Sequence, residues 1–196
     1  TNTASPGFTP SEKGIEEAFD EVFDQAPGRV IVATFASLIS RIQQVINCAI
    51  RHKRYIAIVG RSMQDNVHIA QDLGYMNIPA DAIVKAGELE RYKPHEIAIL
   101  ATGSQGEPSS ALARMSRGES IGGKTIQIVP GDTVIISADP IPGNEELVNR
   151  IINRLFQRGA NVVYSEIARV HVSGHASQEE QKLLLVADIV HVGDAD

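Results

Sequence analysis

The sequence has little of what would place a chain outside the cell, in a membrane or among disordered segments. Its one cysteine, Cys48, excludes an intramolecular disulfide. No apolar run is long enough to cross a bilayer and no signal-peptide pattern is present, so a soluble, cytoplasmic protein with no membrane role is expected. Excess charge is also small. With 18 Lys+Arg against 24 Asp+Glu, the net charge is −6 and the pI about 5.5. That balance argues against holding nucleic acid by bulk charge, so any such contact must come from a local site. At 43% hydrophobic and 21% charged residues, the 196-residue chain is a globular class with one substantial core. A Walker Lys-Ser/Thr ending and a three-glycine dinucleotide fingerprint are missing, which leaves an NTPase or nicotinamide enzyme unsupported. There is no His-x-His-x-Asp-His run and no second cysteine, and His52, His68, His95 and His191 are scattered. No metal ligands are therefore assigned in this chain. Cys48 lies on the apolar face of a predicted helix, next to no histidine, and reads as core.

What is present alternates. Residues 1–10, broken by Pro6, Gly7 and Pro10, have the composition of a connector arm. Ser11 is placed to cap a predicted helix with Ile15, Ala18, Phe19, Val22 and Phe23 on one face, ending near Pro27-Gly28. Short apolar runs then recur at 29–33, 55–59, 97–101, 133–137 and 161–164, each bounded by turn residues. Helices are predicted over 38–52, 63–73, 109–117 and 145–158. Unbroken apolar runs alternating with helices are the mark of βαβ crossovers. The expectation is a doubly wound α/β domain over 11–185, a mostly parallel sheet flanked by helices. Residues 78–94 and 118–131 are less regular, with room for a hairpin or long loops. Ligands in such folds sit outside the carboxyl ends of strands, which directs attention to the loops after the apolar runs.

Three loops carry chemistry. In Val170-His-Val-Ser-Gly-His-Ala-Ser177, Ser177 is an N-cap with Glu180 at the capping-box position. His175 then precedes a helix start whose backbone N–H groups suit an anion, and an imidazole there can donate to a phosphate or transfer a proton. The plain alternative is that His171 ends a strand and His175 only closes the loop. Gly103-Ser-Gln-Gly-Glu107 follows a buried strand, and its glycines permit close backbone approach to a ligand, or form an ordinary strand-to-helix turn. Arg61, in Gly60-Arg-Ser62, is either a bidentate phosphate contact or a solvated turn residue.

Taken together, Ser5-Pro-Gly-Phe-Thr-Pro-Ser-Glu12, Ala33-Thr-Phe-Ala-Ser37, Val59-Gly-Arg-Ser-Met63, Thr102-Gly-Ser-Gln-Gly-Glu-Pro108 and His171-Val-Ser-Gly-His-Ala-Ser177 resemble the β-CASP domain of bacterial ribonuclease J. The likeness runs over roughly residues 1–185 in the family's order. It implies a domain inserted in a metallo-β-lactamase fold, where zinc ions activate water to cut RNA internally or from a 5′-monophosphorylated end. By this resemblance the zinc ligands belong to the other domain, so zinc is implied for the intact nuclease and no cofactor for this chain. Glu12 matches an acidic family position, and His175 matches the histidine of the second β-CASP motif, which contacts the region of the scissile phosphate. Gly103, Ser104, Gln105 and Gly106, with Ser173, Gly174, Ala176 and Ser177, are the candidates for holding a terminal nucleotide or its phosphate.

The sequence also departs from the family. It opens at Thr1-Asn2-Thr3 where the family carries an Asp-Ser pair whose Asp bridges the zinc ions. Residues 186–196 lack the family's Pro-Val-His-Gly-Glu ending and read as a join or an altered end, with His191 a strand-end histidine rather than a ligand. The expected partners are RNA, weakly, and the metallo-β-lactamase domain, for a chain monomeric and inactive alone. A self-contained small-molecule enzyme or sensor, binding a phosphorylated metabolite at the Gly103 and His175 loops, is the alternative, and an interaction module is a third.

Overall fold

The computed structural model describes residues 4–121, 124–172 and 174–193. The chain divides into two units, Ile15–His171 and a smaller one made of Thr1–Gly14 with Val172–Asp196. In the larger unit, strands β1 (Val30–Ala33), β2 (Tyr55–Val59), β3 (Ile97–Ala101), β6 (Thr133–Ile136) and β7 (Asn161–Val163) form one sheet in the order β2-β3-β1-β6-β7, with every pairing parallel. The predicted doubly wound α/β architecture is the one observed. A short antiparallel pair, β4 (Ser120–Ile121) with β5 (Lys124–Thr125), supplies the hairpin for which the sequence left room. Two 3-10 turns, Ala86–Arg91 and Pro94–Glu96, occupy the other irregular stretch.

These strands are Val- and Ile-rich because both faces are covered. All residues of β1, β3 and β6 are buried, and each such aliphatic side chain contributes about 1.5–3 kcal/mol. Period-two alternation divides them between faces. Ile31, Ile99, Ala101, Val134 and Ile136 share one core with Leu112 and Met115 of α4 (Ala111–Arg117) and Val148, Ile151 and Leu155 of α5 (Glu145–Gln157). Helix α2 (Ile39–Arg51) packs on β2 and β3 through Ile42, Val45, Ile46 and Ala49, and touches α3 (Arg61–Asp72). Helix α1 (Lys13–Gln25) buries Ile15, Phe19 and Phe23.

Arg54 ties down the amino-terminal side of the sheet. Its guanidinium, nearly buried, donates to the carbonyls of Gly28 (2.7 Å), Ala26 (2.9 Å), Phe23 (3.2 Å) and Ile97 (3.4 Å). Burial pushes its pKa down. Carbonyls left by the end of α1 and the starts of β1 and β3 are thereby satisfied by one side chain.

In the smaller unit, α6 (Gln178–Gly193) begins where expected but runs on through the 186–193 segment. His191, read above as a strand-end residue, is thus on helical backbone. The run Leu183–Val192 contains no breaker before Gly193, which is why the helix continues.

Candidate functional site

Because the strands are parallel and in register at Ala33, Val59, Ala101 and Ile136, their carboxyl ends form one edge. From β1 the chain passes out to β2, returns to β3, then crosses β1 to reach β6 and β7. Connections therefore leave β1 and β6 in opposite directions, the arrangement that opens a crevice for ligands.

At these strand ends buried side chains form a hydrogen-bonded cluster whose central arginine the sequence did not reveal. Arg41, on α2, is fully buried. It donates from Nη1 to Ser137 Oγ (2.6 Å) and to the Val170 carbonyl (3.1 Å), and from Nε to Gln44 Oε1 (3.0 Å). Ser137 Oγ also donates to the Val170 carbonyl at 2.5 Å, and Thr34 Oγ1 to the Ser137 carbonyl at 3.4 Å. His171 follows in irregular backbone, with Nε2 3.9 Å from Asp139 Oδ2. The signal for Arg41 was a charge one residue from an apolar helix stripe, which sequence patterning alone treats as solvated.

The 103–106 loop borders the same edge. Gln105 is buried and used on both sides: Nε2 donates to the Asp139 carbonyl (2.9 Å), while Oε1 accepts from the Ile141 amide (2.7 Å) and Asn144 Nδ2 (3.4 Å). Gly103 and Gly106 have φ of +117° and +78°. A Cβ on Gly103 would meet Ser110 Oγ at 2.3 Å, and one on Gly106 the Leu147 carbonyl carbon at 2.5 Å. Their lack of a side chain is required by the neighbouring chain. Ser104 is buried within this turn. Ser110 caps α4, accepting from the Ala113 amide.

Arg61 falls elsewhere along the edge. The predicted Gly60-Arg-Ser turn is the start of α3, with Gly60 as its cap and Arg61 exposed. Arg61 lines a cleft of about 1180 Å³ at the ends of β2 and β3, together with Lys85, Thr102, Glu107 and Arg114. Gly103, Ser104, Gln105 and Gly106 do not line it.

The smaller unit builds its site around the first turn of α6. Ser177 precedes the helix and its amide donates to Glu180 Oε2 at 2.7 Å, which is the reach-back half of the capping box. Thr9 completes the knot. Its amide donates to Glu180 Oε2 (3.1 Å); its hydroxyl lies 2.5 Å from Glu180 Oε2 and 3.1 Å from the His175 carbonyl, accepts from the Ser177 amide and sits 3.2 Å from Ser177 Oγ. These hydrogen bonds, that from the Thr9 hydroxyl foremost and that from the Ser177 amide next, hold the Glu180 carboxyl below the usual range. The Gln178 and Glu179 amides, expected to face an anion, donate to the carbonyls of Ser5 (3.0 Å) and Gly7 (3.2 Å). His175 and Gly174 are exposed, Ala176 is half-buried with its carbonyl accepting from Gln181 Nε2, and Glu12 is half-buried. Ser173 lies outside the described residues.

Among the described residues, three donors come within 4.8 Å of one another only at Asp20, Cys48 and His52. The grouping corrects the reading that Cys48 has no histidine nearby: His52 lies one helical turn further along, at the C-cap of α2. No helix among the described residues is long and apolar enough to cross a membrane.

A doubly wound α/β domain with polar loops gathered at its strand ends is the class of protein that fold and site define. Residues 27–155 match the family model described as ribonuclease J, beta-CASP domain. The chain is similar to "Ribonuclease J" of Helicobacter pylori strain 26695, 49% identical over 185 residues that cover 94% of this chain and 26% of the relative. It is 51% identical to "Ribonuclease J" of Thermus thermophilus, over 94% of this chain and 32% of the relative, and 40% identical to "Ribonuclease J2" of Bacillus subtilis, over the same shares. The chain belongs to the ribonuclease J β-CASP domain family and spans about a quarter to a third of the length of these curated relatives.

Proposed function

We propose that this chain is the RNA-gripping portion of a zinc-dependent ribonuclease J acting in cytoplasmic RNA processing and decay, from 5′-monophosphorylated ends and internally. The observation that carries the reading is the 49–51% identity to proteins named ribonuclease J across 94% of the chain, the 103–106 and 174–177 loops included. Zinc, when bound in the intact nuclease, supplies the activated water; its ligands are assigned outside this chain, which is expected not to hydrolyse RNA alone.

In this reading His175, exposed and flanked by Gly174, meets the phosphate being cut, and Glu12 is its acidic counterpart. Ser173, Gly174, Ala176 and Ser177 hold nucleotide in the smaller unit. The Gln178 and Glu179 amides are already engaged by the arm, so the grip there comes from the loop and the imidazole. In the larger unit, Gly103, Ser104 and Gly106 offer backbone, Gln105 shapes the turn, and Arg61 supplies a phosphate contact from its cleft. Net charge of −6 limits affinity, which falls steeply with salt.

The test uses one short RNA with a 5′-monophosphate or a 5′-hydroxyl, titrated against the chain at low salt. Tighter binding of the phosphorylated form, weakened by His175→Ala, is expected, with no hydrolysis in added zinc. Zinc-dependent cleavage lost in His175→Ala would overturn the inactivity, and stabilisation by a sugar phosphate but not by nucleoside monophosphates would overturn the RNA reading.

A further inference from the structure

We propose that Asp20, Cys48 and His52 form a binding site for one thiophilic divalent cation, such as Zn²⁺, between α1 and α2. Cys48 and His52 are four residues apart, so the helix places sulfur and imidazole over the same turn. Asp20 approaches them from α1. Asp20 Oδ1 lies 3.3 Å from Cys48 Sγ and 3.1 Å from His52 Nε2, and all three donor atoms are within 4.8 Å of one another. A tetrahedral ion with Zn–S of about 2.3 Å and Zn–N or Zn–O of about 2.0–2.1 Å needs edges of about 3.3–3.5 Å. Two edges are thus present to within a few tenths of an ångström without backbone movement.

The surroundings suit the same occupant. A sulfur, an imidazole nitrogen and a carboxylate oxygen form a mixed set that favours zinc over calcium or magnesium. Cys48 is fully buried, while the side chains of His52 and Asp20 are 22% and 40% exposed, which leaves a route for the ion and room for water as fourth ligand. Arg51 Nη2 holds Asp20 Oδ2 at 2.8 Å. With the ion on Oδ1, this contact remains as the outer hydrogen bond that orients a ligating carboxylate, and the Arg51 contacts to Oδ1 at 3.0 and 3.2 Å give way. The Cys48 thiol now donates to Oδ1, where the ion would sit. Binding exchanges that proton for the cation: the S–H bond breaks, a metal–thiolate bond forms, and one proton passes to solvent. His52 Nε2, which donates to Asp20 Oδ1 at 3.1 Å, gives up that proton and the neutral ring carries one on Nδ1 instead, so that the Nε2 lone pair is free to coordinate and the net release remains the thiol proton. No electron is transferred.

The test is a titration of the whole chain with Co²⁺ alone, read by absorption, followed by displacement with Zn²⁺. A thiolate-to-cobalt charge-transfer band saturating at one ion per chain, bleached by Zn²⁺, is expected. Cys48→Ser should abolish the band, and His52→Gln should weaken affinity at least about tenfold. Far-UV circular dichroism checks that each variant folds; should Cys48→Ser fail, the partly exposed His52→Gln and Asp20→Asn decide. Absence of a thiolate band in the unmodified chain, or a band whose affinity is unchanged in both His52→Gln and Asp20→Asn, would overturn the proposal.

Discussion

Exchanging Gln105 for glutamate isolates what the 103–106 loop owes to its own scaffold. The shape is preserved, and the Ile141 amide, 2.7 Å from Oε1, keeps its acceptor. The atom facing the Asp139 carbonyl at 2.9 Å changes from a donor to an acceptor. One hydrogen bond worth about 1 kcal/mol is lost, and a charge is placed where the side chain is 2% exposed, so a total of about 2–3 kcal/mol at neutral pH is expected. Protonation reverses the loss, because a neutral carboxyl again donates to Asp139. Burial raises the pKa of the new carboxyl in the folded state above its unfolded value of about 4.3. The penalty is therefore nearly absent below that value and grows as pH rises through and above it. Thermal unfolding of Gln105→Glu and the unmodified chain, followed by circular dichroism at pH 4 and pH 7, reads the effect. At about 2–4 °C per kcal/mol for a chain of this size, the deficit at pH 7 is about 4–12 °C, shrinking toward zero at pH 4. A deficit equal at both pH values, or none at either, would refute the assignment of Gln105 to the turn.

Other positions give sharper single readings. Gly106→Ala combines a φ of +78° with a Cβ 2.5 Å from the Leu147 carbonyl carbon, and should cost about 3 kcal/mol or more by urea denaturation. Gly74→Ala, at +73° but in open space, should cost only about 1 kcal/mol. Arg54→Met strands four carbonyls while relieving the burial of a charge, for a net loss of about 3 kcal/mol; Arg150→Met, which removes only an exposed contact to Glu146, should lie within about 0.5 kcal/mol of the unmodified chain. The Glu180 carboxyl, held below its ordinary 4.5, contributes stability that is complete above that value and lost as pH falls through the depressed one. Hydrogen exchange at the Gln178 and Glu179 amides should accelerate over that acid window in the unmodified chain, and show no such step in Glu180→Gln.

The parallel sheet was legible because its strands advertise burial on both faces: runs such as Val30-Ile-Val-Ala33 and Ile97-Ala-Ile-Leu-Ala101 have no polar alternation. Strand order was not, since it depends on contacts between distant segments. The Ser177–Glu180 half of the capping box was readable because its partners are three residues apart. Thr9, which completes it, lies 168 residues from Ser177. For the same reason the glycines of the 103–106 loop could be seen as permitting close approach, but not that Leu147 and Ser110 are what approaches. Gln105 finds its partners 34–39 residues onward. Arg41 and Cys48 were obscured by composition: a buried arginine resembles a solvated one until Ser137 and Val170 are placed beside it, and a lone cysteine resembles core until α1 brings Asp20.

The short bridges from Ser5 and Gly7 to Gln178 and Glu179 have a mechanical consequence. Two positions far apart along the polypeptide are held side by side, at a separation familiar from adjacent strands. Tension applied across them is borne by those few bonds and by Thr9 against Glu180, bypassing the long excursion of chain in between.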